Sequence, residues 1–321
     1  MGFRKRGHMK IGIVMDPIDS INFKKDSSLS ILLEAQSRGH ELFYMEPTSL
    51  LIQDTGVFGL TQTMEVKDNP DNWFKISNST KTDLSSLDLI FMRQDPPFDS
   101  NYIYNTYVLE QAEKKGVKVI NKPASLRDCN EKVFTTLFTE CCTPFLVASD
   151  KSLLREFIEE HKDTVVKPLD GMGGNSIFRV RNKDPNISVI LENITQNFQT
   201  KIMMQRYIPE IKEGDKRIIM INGEPMQAAI SRMPAMGELR GNLAAGATAR
   251  STTLTARDKW ICDKVGPKLK ELELVIVGLD IIGDYLTEIN VTSPTCFKEY
   301  NNLCNIDVAS FLFNYIEESL D

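Results

Sequence analysis

Over its first 128 residues the chain alternates short apolar runs with longer mixed ones, a rhythm that limits it to a helix-covered sheet. Lys10-Ile11-Gly12-Ile13-Val14-Met15 reads as a buried strand, followed by a polar loop from Asp16 to Asp26. Leu29, Ile31, Leu32, Leu33 and Ala35 then fall on a short helix that Gly39 stops, and Glu41 to Met45 is a second strand. The polar stretch from Gln53 to Ser86 is irregular, with Thr61 to Val66 as a candidate edge strand. Leu87 to Met92 is a further strand, ending in Arg93 and the loop Asp95-Pro96-Pro97-Phe98-Asp99. Asn101 to Lys115 is helical up to Gly116, and Val117 to Asn121 is again a strand. Such alternation predicts a parallel sheet. Ligands on parallel sheets bind beyond the strand carboxyl ends, which puts the Met15-Asp16 and Arg93 loops on one functional edge.

The pattern changes after Asn121-Lys122-Pro123. A helix is predicted from Glu131 to Glu140, a strand over Phe145 to Ala148, and a helix over Leu153 to His161 with Ser152 as N-cap. From Val165 the chain is largely β: Val165 to Lys167, Ile177 to Val180, Lys201 to Tyr207, Arg217 to Ile221 and Met226 to Met233. Asn222-Gly223 between the last two is a strong tight-hairpin signal. A helix from Thr255 to Glu271, kinked near Gly266-Pro267, precedes two closing strands. Ile306 to Leu320 is an amphipathic terminal helix expected to pack on the core.

Composition removes whole classes of function. A length of 321 residues suits two or three domains, with a core that needs neither disulfide nor structural metal. No run approaches the roughly 18–20 apolar residues of a membrane span. The basic residues within 1–9 read as an arm or an expression scar; no apolar h-region follows them, so they are not a signal peptide. With 38 Lys plus Arg against 44 Asp plus Glu, the net charge of −6 argues against a nucleic-acid-binding face. His8, His40 and His161 stand beside no nucleophile and in no metal-ligand spacing, so triad hydrolysis and His-ligated zinc are poor fits. Six cysteines without a CxxC pair read as free thiols in a reducing cytoplasm.

Two segments carry chemistry. Lys167-Pro168-Leu169-Asp170-Gly171-Met172-Gly173-Gly174-Asn175-Ser176 lets the backbone approach a ligand and present N–H groups to phosphate oxygens. It lacks the Lys-Ser/Thr pair of a Walker A loop, and a strand rather than a helix follows it. The segment reads as a hairpin lid over a triphosphate, with Lys167 reaching the same charge; a plain flexible hairpin tip is the alternative. The second segment is Asp280-Ile281-Ile282-Gly283-Asp284-Tyr285-Leu286-Thr287-Glu288-Ile289-Asn290. Glu288 and Asn290 share a strand face. A three-residue Gly283–Tyr285 loop places Asp280 opposite Glu288 on that face and makes a hard-oxygen set for Mg²⁺. A strict two-residue turn sends Asp280 to the other face, so register decides between a metal site and solvent-facing polar residues. Between these segments lie Lys216, Arg217, Arg232 and Arg240, the last within the small-residue stretch Met236 to Ala247 that suits an active-site lid. Guanidinium groups there could clamp carboxylate or phosphoryl oxygens; each taken singly reads equally as a salt-bridged surface residue.

Together these segments resemble the ATP-grasp ligases and, more narrowly, the bacterial-type glutathione synthetases. The resemblance rests on Gly12 to Pro17, Met92 to Asp99, Asn121 to Pro123, Arg127 to Lys132, Lys167 to Gly174, Arg240 to Gly246 and Val277 to Thr295, in that order. It implies an α/β chain (α+β in the ATP-grasp part): a parallel-sheet N-terminal domain over 1–128 facing substrate, then a two-lobed ATP-grasp fold. The small lobe spans 129–206 and the large lobe, with lid and metal hairpin, 207–321.

The implied reaction joins glycine to the cysteinyl carboxylate of γ-glutamylcysteine through an acyl phosphate, with ATP going to ADP and phosphate. Phosphoryl transfer of this kind needs positioning and charge neutralisation rather than a histidine. By the resemblance, Lys132 and Lys167 grip the ATP phosphates under Gly171, Gly173 and Gly174. Gln205, Tyr207 and Ile208 line the adenine hinge, and Asp215 lies near the ribose. Asp280, Glu288 and Asn290 hold Mg²⁺ or Mn²⁺. Arg217 and Arg240 steady the acyl phosphate with Arg232 in support, while Met15, Asp16, Arg93 and Ser293 face the peptide. A cytoplasmic homotetramer, without nucleic-acid or membrane partner, is also implied. One departure stands out: Ala247-Thr248-Ala249 replaces the glycine and arginine that usually continue the family's lid. Another ATP-grasp carboxylate–amine ligase, for amino acids or D-alanine, and a catalytically silent ATP-binding regulator are the alternatives.

Overall fold

The computed structural model describes residues 7–171, 173–234 and 247–320. Three sheets organise them. The first has a parallel centre built from strands Lys10–Val14, Glu41–Met45, Leu89–Met92 and Lys118–Ile120. Helix Ser27–Ser37 follows the first strand; Asp26, not a residue of the helix itself, caps it by accepting from the Leu29 N–H at 2.6 Å. Helix Ser100–Glu113 is likewise capped by Asp99.

The segment that looked irregular extends this sheet in antiparallel fashion. Thr61 to Val66 is no edge: it belongs to the strand Gly56–Val66, which pairs with Glu41–Met45 and Leu50–Gln53 and also with Phe74–Ile76 and Thr80–Asp83. Its burial alternates because one face packs inward, while its polar partners hide the strand signal in the sequence.

The second sheet is a four-stranded antiparallel one, ordered Phe178–Arg181, Asp163–Pro168, Ile202–Arg206, Phe145–Ala148. Helices Lys151–His161 and Ile187–Ile194 carry the residues that cover it, Leu154, Phe157, Ile158 and Leu191 among them. The N-cap of the first is Asp150 rather than Ser152: the longer carboxylate reaches the N–H groups of both Ser152 and Leu153, and the Ser152 hydroxyl bonds to it.

The expected helix over Glu131 to Glu140 is absent. Two 3₁₀ turns, Val133–Leu137 and Thr139–Cys141, replace it. Asn130 Oδ1 accepts from the N–H groups of Lys132 and Val133, and the hydroxyls of Thr135 and Thr136 bond back to Lys132 and Val133 carbonyls. These local side-chain bonds compete with the α-helical pattern. The tight turn directs Lys132 inward, where it is 2% exposed.

The third sheet is antiparallel, ordered Thr248–Thr253, Ala228–Met233, Asp215–Ile221, Ile276–Ile282, Tyr285–Asn290. Asn222-Gly223 forms the expected two-residue turn, with Met220 opposite Pro225 and Ile221 opposite Glu224. Thr248 and Ala249, part of the family departure, lie on the first of these strands, opposite Met233 and Arg232. Helix Ala256–Glu271 opens with a Thr255/Asp258 capping box and continues through Pro267.

The expected terminal helix is present as Val308–Leu320; a further helix, Phe297–Cys304, precedes it and ends at Asn305, where φ is 54°. Residues Val308, Leu312, Phe313 and Ile316 share one core with Ile11, Ile13, Leu29 and Leu32 of the first domain. Asn121 latches that domain to the third sheet: its amide donates to the carbonyls of Ile276 and Val291, and its oxygen accepts from the Ile276 N–H.

Candidate active site

The hairpin Ile276–Ile282/Tyr285–Asn290 resolves the register question in an unexpected way. Its turn has only two residues, Gly283 and Asp284, which pairs Ile282 with Tyr285 and Ile281 with Leu286. A β-bulge then sets Asp280 opposite Glu288 and leaves Thr287 as the extra residue. The Thr287 hydroxyl donates to the Asp280 carbonyl at 3.1 Å. The bulge therefore restores the facing that a longer loop was needed to predict. Asp280, Glu288 and Asn290 all line one cavity of about 690 Å³.

Asp280 is the hub of a buried ionic network. Arg217 sits directly across from it on the neighbouring strand and donates Nε to Oδ1 at 2.5 Å and Nη2 to Oδ2 at 2.9 Å. Arg232 stands opposite Asp215; its Nη2 bonds to Asp215 Oδ2 and lies 2.9 Å from Asp280 Oδ2. Asn290 donates its amide to the same oxygen at 3.2 Å. Burial alone would raise the Asp280 carboxyl, but Arg217 and Arg232 outweigh it and hold that carboxyl well below the usual range. Asp215 has fewer partners, its Oδ1 has none, and burial pushes it up to about 6.

The second cluster joins the small sheet to the hairpin. Lys132 Nζ donates to Gly171 O at 2.8 Å, bonds to Glu131, and lies 4.0 Å from Glu288. Lys167 lies 3.7 Å from the same Glu288 oxygen. Ile289 N–H donates to the Glu131 carbonyl at 2.8 Å, which ties this turn to the hairpin strand. Burial, with Glu288 nearby, raises Glu131; on Lys132 burial is outweighed by Glu288 and Glu131, and its ammonium is held above its ordinary value.

Gly171, Gly173 and Gly174 line the same cavity, as do Gln205, Tyr207, Ile208, Asp215, Arg217, Arg232, Asp16 and Ser293. The Gln205 Nε2 is buried without a hydrogen-bond partner. Two substrate-facing expectations differ. Met15 and Arg93 are absent from the lining and lie 2% and 3% exposed behind it. Arg93 donates to Ser28 Oγ and the Pro294 carbonyl, and its own carbonyl accepts from Ser293, so it braces the loop that carries Ser293. Arg240 and the expected lid segment up to Gly246 lie outside the described residues.

The sequence did not single out Glu131, Arg179 or Glu299, which also line the cavity. Glu131 adjoins Lys132 and was within reach. Arg179, whose guanidinium lies 3.5 Å from the Tyr207 ring centroid, and Glu299 come from elements paired only in three dimensions.

The donor set suits a hard divalent cation shared with phosphate. Carboxylates of Glu288 and Asp280 face the cavity, and Asn290, whose N–H groups go to Asp280 and Gly278, has its carbonyl oxygen available. Among the described residues no three His, Cys, Asp or Glu side chains form a metal cage by themselves. Mg²⁺ is commonly held by one or two carboxylates plus phosphate oxygens, so Glu288 and Asp280 would supply enough carboxylates for it.

Comparison with known proteins matches both halves of the chain. Residues 9–127 match the model of the prokaryotic glutathione synthetase N-terminal domain, and 131–305 that of the prokaryotic glutathione synthetase ATP-grasp domain. A glutathione synthetase of Pseudomonas aeruginosa is 54% identical over 313 residues, covering 97% of this chain and 98% of the relative. One from Escherichia coli is 50% identical over 312 residues, covering 97% and 99%. Among solved structures, a D-cycloserine synthetase superposes with TM-score 0.69 at 13% identity, covering 97% of this chain and 100% of its own. A D-alanyl-alanine synthetase of Vibrio cholerae gives 0.58 at 13% identity, covering 95% and 96%. These two show a shared fold.

Proposed function

The chain belongs to the prokaryotic glutathione synthetase family, and from that premise we propose how its residues divide the work of ligation. It is an ATP-dependent carboxylate–amine ligase that joins glycine to the cysteinyl carboxylate of γ-glutamylcysteine. A carboxylate oxygen attacks the γ-phosphorus and ADP leaves. The glycine amine then attacks the acyl phosphate, loses its proton, and phosphate departs. The observation that carries the division of work is one cavity lined by all three sheets' contributions, with lysines, glycines, arginines and carboxylates facing each other.

Lys132 and Lys167 neutralise the ATP phosphates beneath Gly171, Gly173 and Gly174, as their approach to Glu288 and Gly171 supports. Gln205, Tyr207 and Ile208 receive adenine; the unpartnered Gln205 amide favours a hydrogen-bonding base there. Asp215 faces the ribose. Asp280, Glu288 and Asn290 hold Mg²⁺ or Mn²⁺, which when bound neutralises charge on the transferring phosphoryl group. Arg217 and Arg232, with Arg240, steady the acyl phosphate and the tetrahedral intermediate. Arg217 and Arg232 are pre-aimed by Asp280, so their geometry costs little to organise when the substrate arrives. Asp16 and Ser293 face the peptide, and Arg93 and Met15 support that wall from behind.

A cytoplasmic homotetramer acting on small molecules is the assembly we propose. Among the described residues no helix is long and apolar enough to cross a membrane. Mass spectrometry after incubation with ATP, Mg²⁺, γ-glutamylcysteine and glycine tests the reaction; glutathione is expected, and its absence with both Mg²⁺ and Mn²⁺ refutes the reading. Glu288→Gln tests the metal assignment: an unchanged Mg²⁺ dependence would remove Glu288 from it.

A further inference from the structure

One part of the cavity is walled by the loop after the first strand and by helix Phe297–Cys304. Four carboxylates line it: Asp16, Asp26, Asp95 and Glu299. Three are engaged by the fold itself. Asp26 caps helix Ser27–Ser37, Asp16 accepts from the Asp95 N–H at 2.9 Å, and Asp95 lies under the charge of buried Arg93. Glu299 differs. Its Oε2 is buried and has no hydrogen-bond partner, an unfavourable state that a ligand's donor would relieve.

Lys25 and Arg217 line the same cavity as Glu299, and both bear on its charge. Arg217 is forked to Asp280 and is assigned above to the acyl phosphate. Lys25 is exposed, makes no ion pair among the described residues, and is held in the loop by its N–H bond to the Asn22 carbonyl. An unpartnered carboxylate oxygen and an exposed ammonium thus belong to residues lining one cavity.

This arrangement matches one feature of the dipeptide. A γ-linkage leaves both α groups of the glutamyl residue free, so its head carries an ammonium and a carboxylate on a single carbon. We infer that Glu299 and Lys25 read this zwitterion, Glu299 receiving the α-ammonium and Lys25 the α-carboxylate. The inference rests on the ligase reading above. It also supplies discrimination against α-linked dipeptides, whose first residue has no free α-carboxylate.

The test uses three competitors for the peptide site of the full-length enzyme: γ-glutamylcysteine, 4-aminobutyrylcysteine, which keeps the ammonium only, and glutarylcysteine, which keeps the carboxylate only. Glu299→Gln should weaken the first two by about tenfold or more, the worth of a charge-assisted hydrogen bond, and leave glutarylcysteine unchanged. Lys25→Met, at an exposed position, should weaken γ-glutamylcysteine and glutarylcysteine and spare 4-aminobutyrylcysteine. KM values for ATP and glycine should stay put in both variants. Equal weakening of all three peptides, or none, overturns the inference while leaving the ligase reading intact. A wild-type enzyme that fails to ligate γ-glutamylcysteine overturns both.

Discussion

Two hairpins face the same cavity, and each carries an arginine–aspartate fork of nearly the same geometry. In the glycine-rich hairpin, Arg179 donates to Asp163 at 2.8 and 2.5 Å; beside the hairpin Ile276–Ile282/Tyr285–Asn290, Arg217 donates to Asp280 at 2.5 and 2.9 Å. Their surroundings are opposite. The first pair is 20% and 33% exposed, the second 7% and 4%. Water can replace either partner of the outer fork, whereas the inner one has no substitute. The same bonds are therefore a trimming in one place and a structural obligation in the other.

The largest expected effect follows from that contrast. Asp280→Asn leaves Arg217 and Arg232 buried without their shared anion, and stability should fall by about 3–5 kcal/mol together with loss of ligation. A urea-midpoint change under about 1 kcal/mol would mean that water reaches the network and the contrast is false. Next comes Lys167→Met. It should raise the KM for ATP roughly tenfold to a hundredfold, as expected for a charged contact to phosphate, with a melting temperature close to wild type.

The two turns give a matched pair of smaller effects. An alanine Cβ at Gly283, where φ is +56°, would meet the Glu210 side chain at 3.0 Å; at Gly173, φ +65°, it meets nothing within 4 Å. Gly283→Ala should cost about 1–2 kcal/mol of stability, and Gly173→Ala about 1 kcal/mol or less, its main effect being on kcat. Equal denaturation midpoints for the two would erase the distinction.

The smallest effect belongs to the outer fork. Asp163→Asn should cost at most about 1 kcal/mol. The Arg179 hydrogen bond holds Asp163's carboxyl below its ordinary value, so its stabilisation is present above the unfolded carboxylate pKa of about 3.9 and fades as pH falls through the lower folded value. Urea midpoints of wild type and variant should differ at pH 6 and converge toward pH 2. A gap that persisted at low pH would assign the effect to packing.

What the sequence disclosed follows the range of the interactions. The parallel strands were legible because each is a short, mostly buried apolar run, Leu89–Met92 being buried throughout. The Asn222-Gly223 turn was legible because its geometry depends on two adjacent residues. The strand Gly56–Val66 was half missed, since its polar neighbours are hidden by pairing rather than by composition. Around the site, most of the residues singled out by type and motif order line the one cavity. The Asp280–Glu288 facing was undecidable there, because a two-residue turn plus a bulge at Thr287 produces the same result as a three-residue loop. The Arg217–Asp280 fork and the Arg232–Asp215 ion pair escaped altogether: they depend on which distant strands become neighbours. Arg93 shows the converse failure, a residue at the expected strand end whose side chain turns into the wall.

The helix Val308–Leu320 closes the core of the first domain, and Arg38 bonds to Ser310, Asn314 and Glu317 on it. On the ribosome this sets a schedule. Residue 308 emerges 270 residues after residue 38, about 15–55 s later at a synthesis rate of about 5–20 residues per second. Through that interval Ile11, Ile13, Leu29 and Leu32 lack the cover that the finished protein provides. The nascent first domain thus keeps that apolar surface open until the helix Val308–Leu320 has been made.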